Sequence, residues 1–412
     1  MTLKQTVVVT SAAFLTIAAL ALGVRQLYFM AAVLFALPLA SFAFCRLGAG
    51  GLEWKRDVSE SAFEDDPVRV SLQIRNTARL PRFFLWIYDG LPQWLSMNGT
   101  PDFVVQTLWP GESVDAAYET TAEKRGVYQF GPVGTLVTDP LGLFSVWREY
   151  DVPRETVIYP RPVPLLTREL SGNQALGLTD TERLASAGAG SDFYGIRDYR
   201  PGDERRRIHW KSTARLGKLA VVEYQQGSTQ DVVVIMDLKQ GTELGEGKAT
   251  TLEYAVKAAA SLAAHAVEQG AALTIAATSK DGAQWVSASD AQELYVIYEF
   301  LARAQADGSE PVSAVVDRVG DSIGTGSSVL IITSDADPEL PGQIARWSSR
   351  RASVCVLLMD AGAFSGENES EENPAEAYAQ ALSNAGARVH VLRPGDDMAS
   401  ALRSVWHAAR PA

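Results

Sequence analysis

The chain has 412 residues, 47% of them hydrophobic, and a formal net charge of −12. This length predicts two or three domains, and the acidic balance argues against a protein that binds nucleic acid. Its two cysteines lie in separate apolar stretches and its four histidines show no metal-ligand spacing, so neither a disulfide framework nor a zinc site is indicated.

The chain opens with two apolar stretches, residues 6–24 and 27–45, separated by Arg25 and Gln26. Each approaches the roughly 20 residues that a helix needs to cross a bilayer. A signal peptide is the competing interpretation of the first stretch, but a second apolar stretch follows it at once. We therefore predict a two-helix transmembrane hairpin over residues 1–47.

Basic residues flank this hairpin unevenly. One of them lies in the connecting turn, Arg25, whereas Lys4, Arg46, Lys55 and Arg56 flank its two outer ends. Cytoplasmic flanks carry the excess of Lys and Arg in membrane proteins. We therefore expect a multi-pass protein of the cell membrane whose soluble domains face the cytoplasm.

The next region, residues 57–160, changes to a period of two. Residues 68–75 alternate strictly between apolar and polar side chains, as a half-buried strand does. Short strands with turn residues between them predict an antiparallel β-sandwich of immunoglobulin-like architecture. The predicted strands cover residues 68–75, 83–88, 103–108, 113–120, 126–130, 144–150 and 156–159.

Residues 161–230 form a predicted linker that carries a basic motif. Between positions 197 and 218, eight basic residues face three acidic ones, against the acidic background of the chain. Arginines pairing with carboxylates could fix a junction between domains, and Arg with Trp could equally form a docking surface for an acidic partner. A catalytic or phosphate-binding site is a third interpretation, although no glycine-rich loop leads into a helix here. The candidate partner-binding or interdomain residues are Arg197, Tyr199, Gly202, Asp203, Arg206, Arg207, Trp210 and Arg215.

Residues 231–412 alternate between apolar strands and helical stretches. Near-continuous aliphatic strands between helices predict an α/β fold with a doubly wound parallel sheet, whose ligands bind at the carboxyl ends of the strands. The predicted strands are 231–237, 273–277, 328–333, 352–359 and 387–392, and the predicted helices are 248–269, 290–304, 341–350, 374–385 and 396–409.

Four motifs now point to a family. They are R-D-Y-R-P-G-D-E-R-R-R-I-H-W-K-S-T-A-R-L-G-K-L at 197–219, R-G-V-Y-Q-F-G-P-V at 125–133, D-P-L-G-L-F at 139–144 and V-I-Y-P at 157–160. Together with the order of the domains, they resemble the domain of unknown function 58 (DUF58) family. The resemblance implies that residues 231–412 form a domain like von Willebrand factor type A.

Members of that family are commonly encoded beside MoxR-type AAA+ ATPases and transglutaminase-like membrane proteins, and their molecular activity is not established. The resemblance therefore implies a membrane-anchored scaffold or adaptor, not an enzyme, that binds such proteins during the assembly of envelope or other complexes. Two other hypotheses stay open: a metal-dependent or phosphate-binding enzyme at the strand ends near Asp237 and Asp335, and an outward-facing envelope protein that contacts cell-wall polymers.

The same resemblance raises a question about metal binding. Type A domains often bind Mg²⁺ through an Asp-x-Ser-x-Ser loop, with a threonine and an aspartate from later loops. Here Asp237 fits, but Lys239 and Gly241 stand where the serines would be. Thr333 and Asp335 could still supply oxygen ligands. We expect a degenerate site with no metal and no other cofactor, in which Asp237 caps its loop or pairs with Lys239.

Overall fold

The computed structural model describes residues 3–97, 101–165, 193–198, 213, 218, 220–224, 232–280, 282–320, 328–349, 352–366 and 373–409. The chain divides into two compact units. The first comprises Met1–Arg161 and Tyr298–Ala304, and the second comprises Pro162–Ile297 and Gln305–Ala412. The boundaries that we predicted at residues 47, 160 and 230 stay predictions.

Two long helices open the first unit, α1 (Leu3–Leu22) and α2 (Arg25–Gly48), and both are long and apolar enough to cross a membrane. The turn between them consists of Gly23 and Val24, directly before the predicted turn at Arg25 and Gln26. Gly23 adopts a φ of 67°, which glycine reaches without steric cost, and Arg25 already begins α2. The turn prediction was therefore wrong in position, because it relied on polarity and not on the glycine.

Antiparallel sheets follow, as predicted for residues 57–160. Their orders are β1-β3-β7-β5, β10-β9-β4-β6 and β2-β11-β8, and β2 with β11 is a parallel exception. The strands are β1 (Leu52–Val58), β2 (Ser61–Phe63), β3 (Pro67–Asn76), β4 (Arg82–Asp89), β5 (Leu95–Ser96), β6 (Asp102–Leu108), β7 (Ser113–Ala122), β8 (Gly126–Phe130), β9 (Val133–Thr138), β10 (Ser145–Tyr150) and β11 (Arg154–Tyr159).

The alternating pattern of β3 places its apolar side chains in the core of the first unit. Leu72 and Ile74 are fully buried and pack against Leu85 and Ile87 of β4, so the two larger sheets share one apolar layer. Sequence analysis missed β1, β9 and the short strands β2 and β5. Gly134 reads as a turn residue within β9, but the ring of Trp147 on β10 covers it, and a Cβ there would lie only 2.2 Å from that ring.

A buried arginine explains why Tyr298–Ala304 groups with the first unit. One terminal nitrogen of Arg125 donates to the carbonyls of Leu301 at 2.7 Å, Ala302 at 3.2 Å and Ala304 at 3.0 Å. These carbonyls end a helix and need donors, and a guanidinium also suits the negative end of the helix dipole.

The second unit contains a sheet of order β18-β17-β14-β19-β20-β21, in which every pairing is parallel except that of β18 with β17. Its strands are β14 (Val232–Met236), β17 (Leu273–Ser279), β18 (Gly282–Ala288), β19 (Ser328–Thr333), β20 (Ser353–Met359) and β21 (Arg388–Leu392). Two antiparallel pairs lie outside it, β12 (Phe193–Asp198) with β13 (Ala220–Tyr224) and β15 (Gly245–Glu246) with β16 (Ala249–Thr250). The helices are α3 (Thr251–Glu268), α4 (Leu294–Arg303, from Tyr298 in the first unit), α5 (Val312–Gly320), α6 (Leu340–Ser349), α7 (Ala361–Ser365), α8 (Pro374–Asn384) and α9 (Met398–Ala409).

Helices cover both faces of this sheet. Val329 and Val356 point toward a cluster that includes Val315 of α5 and Ile344 of α6. On the opposite face, the thiol of Cys355 lies 3.7 Å from the Val405 carbonyl of α9. A strand buried on both faces gives a continuous apolar run, which is why β19 and β20 were predictable.

Several elements of the second unit differ from the predictions, among them β18, α5 and α3. Strand β18 and helix α5 were not predicted; β18 is an edge strand that exposes Trp285, so it lacks the apolar run of its neighbours. Helix α3 begins at Thr251 and not at 248, because Lys248 precedes the short strand β16. The Thr250 hydroxyl then accepts the Glu253 amide and caps the helix.

Candidate functional site

The candidate site lies where the chain reverses its direction across the sheet. Strand β14 is flanked by β17 on one side and β19 on the other, so successive connections leave it in opposite directions. Open α/β sheets bind ligands at the carboxyl ends of strands at such a place, which here are the ends of β14 and β19. We call the polar residues at this place the strand-edge site: Asp237, Lys239, Thr333 and Asp335.

Asp237 follows β14 directly and is buried. Its Oδ2 accepts the hydroxyl of Thr333, the last residue of β19, at 2.7 Å, and its Oδ1 accepts the backbone amide of Lys239 at 3.1 Å. The Asp237 amide in turn donates to the Ile332 carbonyl at 2.9 Å. These contacts lock the loop after β14 onto the end of β19.

Lys239 and Asp335 complete the site with an ion pair. The ammonium nitrogen of Lys239 lies 2.6 Å from Asp335 Oδ2, and the two side chains are 39% and 34% exposed. The Asp335 amide donates to the Thr333 hydroxyl at 3.0 Å, so Thr333 connects the Asp237 carboxylate to the backbone of Asp335. Of the two roles predicted for Asp237, the structure shows the capping of its loop through the Lys239 amide, whereas the Lys239 ammonium pairs with Asp335 and not with Asp237.

The electrostatics of the site follow from this geometry. Burial raises the pKa of Asp237, the Thr333 hydrogen bond opposes that shift, and the Asp335 charge adds to it. The hydrogen bond that the Lys239 ammonium donates to Asp335 raises the pKa of Lys239, so its ammonium stays protonated at neutral pH. The positive charge of Lys239 thus lies against the Asp335 carboxylate.

These residues do not fit Mg²⁺. That ion needs several hard oxygen ligands at short distances. Here the Thr333 hydroxyl is committed to Asp237, an ammonium lies on Asp335, and Gly241 offers no hydroxyl. Its φ of 89° would strain a serine at that position. Within the described parts of the chain, no group of three or more His, Cys, Asp or Glu side chains could hold a metal.

Asp337 stabilises the loop that follows β19, a role that sequence analysis missed. Its carboxylate accepts the amides of Ser313 and Glu339, each at 3.0 Å, and its carbonyl accepts the Tyr378 hydroxyl at 2.7 Å. It thereby joins the loop after β19 to helices α5 and α8. The available signal was an aspartate shortly before a helix, a preferred capping residue.

A cavity of about 320 Å³ lies beyond the ends of β19 and β20. Its lining includes Ala336, Met359, Asp360, Asn373, Tyr378 and Arg393. The buried Asp360 accepts Asn373 Nδ2 at 2.9 Å and Arg393 Nε at 3.0 Å. Burial alone would raise the pKa of Asp360, but these hydrogen bonds outweigh it, and the net shift is downward. Sequence analysis missed this cavity, although Asp360 ends an apolar strand just as Asp237 does.

The basic motif lies almost entirely outside the described residues. The backbone of Arg197 belongs to β12, which pairs with β13. The other predicted positions lie outside the part of the chain that the structure describes; they are Tyr199, Gly202, Asp203, Arg206, Arg207, Trp210 and Arg215. Their assignment to partner binding or to a domain junction stays a prediction.

Comparisons with known proteins bear on the resemblance to a family. A family model described as "Protein of unknown function DUF58" matches residues 195–362. The chain is also 22% identical, over 251 residues, to the "Uncharacterized protein YeaD" of Bacillus subtilis (strain 168). That match covers 60% of this chain and 61% of the relative, so the chain spans less than two thirds of the relative's length.

The solved structures that match are distant. A solution structure of a CARDB domain from Pyrococcus furiosus is 11% identical, with 26% of this chain and 94% of that chain covered and a TM-score of 0.19. A crystal structure of that domain with di-metal ions is 10% identical, covers 26% of this chain and 86% of its own, and has a TM-score of 0.20. The match to the family model over residues 195–362 supports the resemblance to DUF58 proteins in that part of the chain.

Proposed function

We propose that this protein is a membrane-anchored scaffold or adaptor that binds protein partners, with a MoxR-type AAA+ ATPase as its main partner, during assembly of envelope or other complexes. A transglutaminase-like membrane protein is the second expected partner. The observation that carries the proposal is the ion pair of Lys239 with Asp335, which fills the strand-edge site with a charge of the protein's own.

The chemistry of the strand-edge site favours binding over turnover. An ammonium has three donors, and the contact with Asp335 uses one of them, so an acidic side chain of a partner could share the Lys239 charge. The hydroxyl of the neighbouring Ser334 donates to the Thr242 carbonyl at 2.9 Å and is not directed at a base. The site thus offers recognition by charge and no activated nucleophile at that serine.

The remaining parts of the proposal concern fold and location. We propose that the second unit is a doubly wound domain like von Willebrand factor type A, with Lys239 in place of the metal, and that the antiparallel sheets form an immunoglobulin-like sandwich. We further propose that the soluble parts face the cytoplasm, where an AAA+ ATPase would find them. The basic flanks at Lys4 and Arg46 support this orientation.

Association with the ATPase tests the proposal. The full chain is reconstituted in lipid nanodiscs and immobilised, and binding of a MoxR-type ATPase from the same genome is followed by interferometry with a non-hydrolysable nucleotide. We expect saturable binding. We expect it to weaken at least tenfold when Arg205, Arg206 and Arg207 are all replaced by Glu, because a charged docking surface would then repel its partner.

A matched variant controls for net charge. Replacing Arg69, Lys280 and Arg346 by Glu changes the net charge equally, at exposed positions that lie outside the motif in the sequence. Binding by this control variant should equal that of the unmodified chain. If the unmodified chain shows no association, the ATPase partnership is wrong. If both variants lose binding equally, a specific basic docking surface is excluded.

A further inference from the structure

The first unit holds the sandwich directly against the ends of its two apolar helices. The loop between β9 and β10, residues 139–144, contacts both helices. Gln5 near the start of α1 donates to the Leu143 carbonyl, and the Cys45 thiol near the end of α2 lies 3.3 Å from the Phe144 carbonyl. This loop therefore lies at the level where both helices would leave a bilayer.

The chain that leaves α2 is fixed to the sandwich as well. The Tyr150 hydroxyl donates to the Ala49 carbonyl at 2.6 Å, and the Arg82 guanidinium donates twice to the Gly50 carbonyl, at 3.0 and 2.7 Å. Strand β1 begins at Leu52, a few residues after α2 ends at Gly48. Such a short, bonded connection leaves no flexible linker between the helices and the sandwich.

Large apolar side chains are exposed at this same end. Leu141 lies in the loop that contacts the helices, and it is 49% exposed. Leu80 is 54% exposed in a loop whose Thr77 amide donates to the Gly51 carbonyl at 2.9 Å. Trp109 is 59% exposed in the adjoining turn. Exposed leucines and a tryptophan beside helix ends are typical of the interfacial zone of a membrane.

The charges at this end are suited to anionic lipids. Lys4, Arg46 and Arg79 are exposed, and the Lys4 ammonium lies against Gly142, 2.9 Å from where a Cβ would be. The acidic Asp139 is used within its own loop, where it accepts the amides of Leu141, Leu143 and Phe144. Juxtamembrane Lys and Arg bind the anionic headgroups of the cytoplasmic leaflet.

We propose that the helix-proximal end of the sandwich is a membrane-surface seat, in which Leu80, Leu141 and Trp109 enter the interfacial zone while Lys4, Arg46 and Arg79 bind anionic headgroups. The seat rests on the membrane anchoring in the proposed function and adds a second, peripheral contact. It would fix the orientation of the sandwich relative to the bilayer, which a tether alone would not do.

Lipid-quenching of site-specific labels tests the seat. The native Cys45 and Cys355 are buried, so single cysteines at Leu80 or Leu141 can carry an environment-sensitive fluorophore. The full chain is placed in phosphatidylcholine nanodiscs with or without phosphatidylglycerol, and a lipid spin-labelled near the headgroup is the quencher. We expect severalfold stronger quenching at positions 80 and 141 than at Glu123→Cys. Position 123 follows strand β7, whose ten residues extend about 30 Å from the helix-proximal end of the sandwich.

Two further labels and variants make the result decisive. Phe14→Cys within α1 should be quenched by a lipid labelled deep in its acyl chain; if it is not, the anchoring itself fails. Quenching at position 14 without quenching at 80 and 141 overturns the seat alone. The seat is also overturned if another protein, and not lipid, covers those two labels. Phosphatidylglycerol should increase quenching at position 80. Arg79→Gln should remove that increase and the exposed control Arg69→Gln should not; equal quenching with and without phosphatidylglycerol overturns the proposal.

Discussion

Two ion pairs, one in each unit, show how the same chemistry serves different purposes. In the first unit Arg56 and Asp89 are fully buried, and Arg56 also donates to the carbonyls of Gly131 at 2.8 Å and Val152 at 2.7 Å. In the second unit Lys239 and Asp335 remain 39% and 34% exposed at the edge of the sheet. The hydrogen bonds that the first pair makes lie inside the fold, whereas the side chains of the second pair are still partly exposed to solvent.

The difference lies in what each pair can still bind. The second oxygen of Asp89 accepts the Tyr118 hydroxyl at 2.7 Å, and the Arg56 guanidinium lies 5.3 Å from the centre of the Phe130 ring. Burial and the neighbouring Asp89 charge raise the pKa of Tyr118, so its hydroxyl stays a donor. The buried pair fixes strands of the sandwich and nothing more. The exposed pair fixes little, and we propose that it remains available to a partner.

The largest expected effect comes from breaking the buried pair. Asp89→Ala should destabilise the protein by about 3–5 kcal/mol, because it leaves the Arg56 charge buried without a counter-charge. Thermal unfolding of the full chain in detergent measures the loss. The control is Glu119→Ala, which removes the partner of Arg69 in an exposed pair and should cost about 0–1 kcal/mol. Equal losses in the two variants would refute the contrast between buried and exposed pairs.

An intermediate effect is expected at the cavity. Asp360→Asn should cost about 1–3 kcal/mol at neutral pH, because the charged hydrogen bonds from Arg393 and Asn373 are weakened. Folding lowers the pKa of Asp360, so its charge stabilises the fold at pH values above 3.8, the ordinary pKa of an aspartate. That contribution is lost as the pH falls below this value. Melting curves of both proteins should therefore converge in acid. A difference that stays constant down to the lowest pH would contradict this assignment.

The smallest effect on stability is expected at the strand-edge pair. Lys239→Met keeps the apolar stem and removes the charge, and it should change stability by less than about 1 kcal/mol, because the pair is one-third exposed. Association with the ATPase should nevertheless weaken several-fold. Lys280→Met, at another exposed lysine, serves as the control. A large loss of stability with unchanged association would reverse the roles that we assign to the two pairs.

Much of the local structure was predictable because the burial of one or both faces of an element leaves a regular pattern of apolar residues in the sequence. The strict alternation around Leu72 and Ile74 predicted β3, since one face of that strand is buried. Strand β9 was hidden because Gly134 interrupts its pattern, and only the packing of Trp147 onto that glycine explains why it is there. Local sequence does not contain such a contact between strands.

The candidate site was predictable in its members but not in its pairing. Asp237, Thr333 and Asp335 follow apolar strands, so a common sheet edge could be expected for them. Which carboxylate receives the Lys239 ammonium depends on β14 and β19 being neighbours, and residues 239 and 335 are 96 positions apart. The cavity at Asp360 was missed for the same reason, because its partner Arg393 belongs to a later strand connection.

Thermal unfolding with and without divalent cations tests the central claim, which is that Lys239 supplies the charge of the strand-edge site. The melting temperature of the full chain in detergent should be the same in excess Mg²⁺ or Mn²⁺ as in chelator. After replacement of Lys239 by Ser, the melting temperature should rise when the divalent cation is added. A clear rise in the unmodified chain that disappears in Asp237→Ala would show a metal site there, and would contradict the account of a protein that carries its own cation.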